Sequence, residues 1–129
     1  MVSAFLVPHP GGTVLFDTGI GEGEPEFDRH YRVVRRELRE GLAALGVGLD
    51  EIRLVANCHL HADHCGGNPT LADRTVFVQR AELAAARTPD YTIPGLVDFM
   101  GATYEELDGE AEILPGVRVV PTPGHTDGH

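Results

Sequence analysis

The sequence has no lysine: its ten basic residues are all arginine, set against twenty Asp and Glu, for a formal net charge of −10. Such a surface repels phosphate backbones, which argues against nucleic acid as a partner and leaves small neutral or weakly charged molecules as substrates. Serine is nearly absent as well. With Ser3 the only one and no G-x-S-x-G anywhere, a serine nucleophile has no place to sit. No apolar run approaches twenty residues, so no membrane span is expected. The opening MVSAFLVPHPGG lacks the basic stretch of a signal peptide, which makes the cytoplasm the expected address. Cysteine is confined to Cys58 and Cys65, expected as free thiols in a reducing compartment. What is present is ordinary for a soluble globular chain: 42% hydrophobic residues and 23% charged over 129 residues, the length of one domain.

Local patterns give strands mixed with helices. SAFLVP and TVLFDTG flank a Pro-Gly turn and predict a hairpin ending at Asp17. IGEGEPEF has the composition of an exposed loop. Asp28 is placed to cap a helix in which Tyr31, Val34, Leu38, Leu42 and Leu45 recur every three or four residues, with Gly46 ending it. The Arg run on its other faces is read as a solvated surface rather than an anion site. Residues 53–58 predict a buried strand, RTVFVQ another, and RAELAAAR a short helix. YTIPGLVDFMGATYEEL is expected to be irregular and to pack rather than cover a pocket. AEILPGVRVV predicts a second hairpin whose strand 117–120 delivers PTPG and then His125. The order is that of an α/β or α+β layered domain, with no repeat and no linker.

The densest chemistry is NCHLHADHCGGN, where His59, His61, Asp63 and His64 fall within six consecutive positions. In a strand, alternate side chains share a face, so His59 and His61 are expected to point one way and Leu60 into the core. Asp63 and His64, past the strand end, reach a neighbouring position through a turn loosened by Gly66 and Gly67. Nitrogen and carboxylate donors in this mixture suit zinc, with manganese, iron or cobalt as the other ions such donors take. A histidine-rich surface loop without a ligand is the bland alternative, and four donors so compressed weigh against it. A closed structural zinc site using Cys58 or Cys65 is the other. It is disfavoured because Cys58, next to His59 in a strand, should face away.

HLHADH resembles the HxHxDH signature of the metallo-β-lactamase superfamily, LFDTG its preceding aspartate segment, and PTPGHTDGH the segment with its third histidine. Softer likenesses in HLHADHCGGN, TVFVQRAEL and YTIPGL are similar to the quorum-quenching N-acyl homoserine lactonase branch. The resemblance implies an αββα sandwich of which residues 1–129 are a single partial domain, the first half, with an early strand trimmed at the start. It implies that His59, His61 and His125 bind one metal and that Asp63 and His64 bind a second. Asp63 is also the candidate catalytic carboxylate. Asp17 and His129 would support the site without ligating it. The family's bridging aspartate and last histidine have no counterpart in these residues.

By the same resemblance, two ions about 3.5–4 Å apart supply a metal-bound hydroxide that attacks an ester or lactone carbonyl. An N-acyl homoserine lactone is the favoured small-molecule substrate. A thioester hydrolase of the glyoxalase II type and a non-catalytic metal-binding fragment are the alternatives. A half-sandwich leaves an apolar sheet face uncovered, so a homodimer or poor solubility is expected.

Overall fold

The computed structural model describes residues 2–21, 23 and 25–129. β1 (Phe5–Val7) and β2 (Thr13–Phe16) form the expected antiparallel hairpin, with Phe5 opposite Phe16. β3 (Ile52–Ala56), β4 (Thr75–Gln79) and β5 (Thr103–Leu107) then add in parallel, giving a mixed five-stranded sheet in the order β1-β2-β3-β4-β5. β6 (Ala111–Leu114) and β7 (Val117–Val119) form a separate hairpin, held near the β1–β2 turn where His9 Nε2 lies 3.0 Å from the carbonyl of Pro115.

Strand register sorts the side chains. Leu15, Val55 and Val76 are opposite one another across β2, β3 and β4 and are fully buried, as is Val78 two residues on. Leu42 from α2 (Leu38–Ala43) closes over Leu15, Ile52 and Val55. Leu83 and Ala86 from α4 (Arg80–Ala86) pack with Val78, Leu60 and Val97. The alternate register positions are unevenly protected: Val14 and Ala56 are buried, Phe16, Leu54 and Phe77 are half-buried and Phe5 is exposed.

Several expectations need correction. The helix predicted from Asp28 to Gly46 is two helices, α1 (Pro25–Tyr31) and α2, interrupted where Arg32 takes a positive φ of 51°. Its apolar stripe consequently never assembles: Val34 is 97% exposed, and Tyr31 and Leu45 stand mostly in water. Asp28 lies inside α1 and pairs with Arg35 instead of capping. Of the predicted loop over residues 20–27, positions 22 and 24 lie outside the described residues, and Pro25–Phe27 are helical.

β3 stops at Ala56, two residues short of the predicted end, and β7 stops one short. The stretch read as irregular contains β5. Its Glu105 and Glu106 dilute the apolar signal, and a charged strand is tolerated there because β5 is the edge of the sheet. Val97, in the same stretch, is buried in the core as the packing reading expects, whereas Tyr91 and Ile93 at its start line an open groove, contrary to it. Among the described residues no helix is long and apolar enough to cross a membrane.

Candidate metal centre

The parallel strands β2, β3 and β4 present their carboxyl ends to one edge, where sites in open α/β sheets form. Because Phe16 and Ala56 are register partners, the residues that follow them, Asp17 and Asn57–Cys58, emerge side by side. Asp17 has a positive φ of 59°, a conformation Asp tolerates better than most residues. It turns a 3%-exposed carboxylate onto the neighbouring chain. That carboxylate accepts from Cys58 N–H at 2.9 Å, from the Cys58 thiol at 3.0 Å and from His64 Nδ1 at 2.9 Å.

The early strand end changes how the histidines are aimed. His59, Leu60 and His61 are loop rather than strand, and α3 (Ala62–Cys65) begins immediately after them. Leu60 is fully buried as expected, although loop geometry and not strand alternation puts it there. Gly66 and Gly67 do not loosen the turn either. Both have ordinary negative φ, and a Cβ on Gly66 would fall on the carbonyl of Ile20, one on Gly67 on that of Thr18. Their role is close approach of the Thr18–Ile20 segment, sealed by Gly66 N–H donating to Gly19 O at 2.8 Å. Thr18, Asn57 and Asn68, all buried, finish the frame: Thr18 donates to Asn68 Oδ1, Asn68 to Asn57 Oδ1, and Asn57 to His64 O.

Within this frame His59 is central. Its ring lies 4.1 Å from His64, 4.7 Å from His125, 4.8 Å from His61 and 5.3 Å from His129, centroid to centroid. His61 Nδ1 is 3.2 Å from His125 Nε2. The donor atoms of His59, His61 and His125 all lie within 4.8 Å of one another, as do those of His59, Asp63 and His64. Asp63 Oδ2 is 3.7 Å from His64 Nε2. His129 Nδ1 sits 2.8 Å from Thr122 Oγ1, within the His125 turn. All seven residues singled out in the sequence are thus gathered at one edge of the sheet.

Electrostatics favours neutral imidazole at the centre. Burial, then the neighbouring imidazoles, push the His59 pKa down to about 4. His64 goes the other way, because its hydrogen bond to Asp17 raises it against the cost of burial. Burial alone would raise Asp17, but the bonds from His64 and Cys58 outweigh it and hold the carboxyl below its usual range.

Cys58 was expected to face away from His59. Its sulfur instead lies 3.0 Å from His59 Nδ1 and 3.3 Å from His64 Nδ1. Burial and the Asp17 carboxylate push that thiol upward, so it is held protonated. Cys65 is fully buried and donates to Leu60 O at 3.3 Å.

The test of fit to a cation is one atom. With His59 Nδ1 turned to Cys58, its Nε2 is buried with no hydrogen-bond partner. An unsatisfied buried polar atom costs about 1–3 kcal/mol, and this one faces a cluster of other imidazoles. A divalent ion there would satisfy it.

Three further participants escape the sequence pattern: Cys58, Tyr91, whose ring packs 4.7 Å from His61, and Glu82, buried at 0% exposure. An acid four residues before the buried Ala86 of α4 was the available signal for Glu82, since an unpaired charge has no business on a buried helix face.

A model of the metallo-beta-lactamase superfamily matches residues 1–129. The chain belongs to that superfamily. Among curated relatives, an N-acyl homoserine lactonase of Bacillus cereus is 30% identical over 117 residues, covering 89% of this chain and 44% of its own. One from Rhizobium radiobacter is 29% identical, covering 99% and 57%. An N-acyl homoserine lactone hydrolase solved with N-hexanoyl-L-homoserine at its catalytic metal centre superposes at a TM-score of 0.84 with 27% identity, covering 99% of this chain and 56% of that one. The chain therefore spans about half the length of the relatives it matches.

Proposed function

We propose that this chain is the histidine-bearing part of a metal-dependent hydrolase of carboxylic esters or lactones, with an N-acyl homoserine lactone as substrate. The observation that carries the reading is the convergence of His61 and His125 on His59, whose Nε2 is buried without a partner. The lactonase relatives supply the substrate class.

His59, His61 and His125 would hold one divalent cation, and Asp63 with His64 a second. Zinc suits these donors first, and manganese, iron and cobalt follow. Such cations, when bound, lower the pKa of a water toward about 7 and polarise a carbonyl.

The chain's own residues do the rest. His59, with a pKa of about 4, is neutral at pH 7 and keeps a lone pair available. Asp17 accepts a hydrogen bond from His64 Nδ1–H and so leaves Nε2 turned toward Asp63. Asp63, 41% exposed at its side chain, is the carboxylate placed to hold or return a proton during ring opening. His129, through Thr122, steadies the His125 turn. An open groove of about 1270 Å³ begins at His61, Asp63 and His125 and continues past Tyr91, Ile93, Ile20 and Phe27, an apolar lining suited to an acyl chain.

The experiment is a pair of rate assays on the intact gene product loaded with zinc or manganese. One uses a homoserine lactone and the other S-lactoylglutathione. Lactone turnover that disappears in His59→Ala is expected. Thioester turnover without lactone turnover would move the assignment to the glyoxalase II type, and turnover of neither would end the hydrolase reading.

A further inference from the structure

Nothing in the backbone explains why His125 stays beside His59 and His61. Residues 57–61 and the 122–129 turn are both loops, and among the described residues no backbone hydrogen bond joins them. Among the described residues their one direct hydrogen bond is that between His61 and His125, beside ring contacts of His59 with His125 and His129. Imidazole contacts alone do not fix two loops to the tolerance a cation site needs.

Glu82 supplies the missing connection. Its carboxylate is fully buried in the first turn of α4, and the donors that reach it are uncharged. One oxygen, Oε1, accepts the backbone N–H of Leu60, between His59 and His61, at 2.8 Å. The other, Oε2, accepts the hydroxyl of Thr126, next to His125, at 2.6 Å. Tyr91 donates its hydroxyl to Oε1 while its ring packs on His61. The turn is pressed close against the same helix, for a Cβ on Gly128 would fall on the backbone nitrogen of Glu82.

Burying a carboxylate without a countercharge is costly unless several hydrogen bonds offset it. Here each of those bonds ends on a different segment of the histidine cluster. Both oxygens are taken up by these donors, so Glu82 has no free edge for proton transfer.

We propose that Glu82 is a positioning residue: its two oxygens tie the Leu60 segment to the Thr126 turn and thereby hold His59, His61 and His125 in register as one cation site. The inference rests on the reading of those three histidines as a metal site. It goes beyond that reading by assigning their mutual placement to a residue that touches none of the donor atoms.

The test is a titration of metal-free protein with Zn²⁺ against a chromophoric chelator, with the visible absorption of Co²⁺-loaded protein as a second readout. Glu82→Ala is expected to weaken the tightest Zn²⁺ site about 10- to 100-fold, the usual range for loss of an outer-shell support, and to alter the Co²⁺ bands. Glu82→Gln keeps an acceptor for Leu60 N–H and should recover most of the affinity. Thr126→Val is nearly isosteric and cuts only the Oε2 link, so it should fall between the two, and it decides the matter if Glu82→Ala does not fold. A purely structural Glu82 would lower thermal stability while leaving the Zn²⁺ affinity and Co²⁺ bands of the folded protein unchanged, and that result overturns the proposal. Absence of Zn²⁺ uptake by the unmutated protein would instead overturn the metal site on which it rests.

Discussion

Around His59, polar side chains are buried with their partners, while around Val34, apolar side chains stand in water. Asp17, Asn57, Asn68, His59 and Glu82 are all at most 5% exposed. Val34 is 97% exposed, and Tyr31 and Leu45 exceed 60%. The two regions invert the ordinary distribution of residue types in opposite senses, and for different reasons. Among the described residues every buried side-chain nitrogen or oxygen but two is answered by a hydrogen bond, and one of those two, His59 Nε2, lies where donors converge. In the segment from α1 to α2, the apolar residues follow a helical period, yet among the described residues only Leu38 and Leu42 of that period join a core cluster, and Tyr31, Val34 and Leu45 do not. A satisfied polar network specifies one geometry, whereas an apolar stripe specifies only that something should cover it.

Perturbing each region should expose that contrast. Leu60→Ala removes a fully buried side chain from directly between two candidate ligands. It should destabilise the fold by about 2–5 kcal/mol in chemical denaturation, the usual cost of such a cavity, and a loss below about 1 kcal/mol would mean the site is less tightly packed than described. Asp17→Ala should come next. It strands the Cys58 N–H and releases His64 Nδ1, lowering zinc affinity by about 10- to 100-fold as measured by chelator competition.

Acid and base sensitivity should separate the histidines of the site. His59 has a folded pKa of about 4 against an ordinary 6.5. The unfolded chain therefore binds a proton that the folded chain refuses, and stability of the metal-free protein should fall as pH drops from 6.5 toward 4. His64 is raised, so its contribution is complete below 6.5 and is lost as pH climbs through its folded value. The metal-free protein should thus be most stable near its histidines' ordinary pKa. His59→Ala should flatten the acid limb of a denaturation series and His64→Ala the alkaline limb. An unchanged profile in either variant would contradict the assignment.

The smallest effects belong to the other region. Arg35→Ala breaks a pair with Asp28 whose side chains are 17% and 34% exposed. It should cost about 0–1 kcal/mol. Val34→Ala should change stability by no more than about 0.5 kcal/mol. A larger loss at Val34 would show that this stripe has a partner in solution.

The same contrast decides what the sequence could reveal. All the described strands but β5 announced themselves through alternation and turn residues, and the donor set through its spacing. The period of three and four from Tyr31 to Leu45 was equally plain, yet a period states which residues would share a face, not whether an opposing surface exists to hold the helix together. Cys58 was misplaced because its direction was reasoned from a strand that ends two residues earlier. Glu82 and Tyr91 lie 18 or more positions beyond His64 and meet the cluster only through the packing of α4, which no local pattern encodes.

Isothermal calorimetry of zinc binding to the intact gene product, beside a variant with His59, His61 and His125 all replaced by alanine, tests the central claim most directly. Tight uptake by the unmutated protein that vanishes in the triple variant is the expected result. Uptake that survives the triple replacement, or no uptake at all, would contradict it.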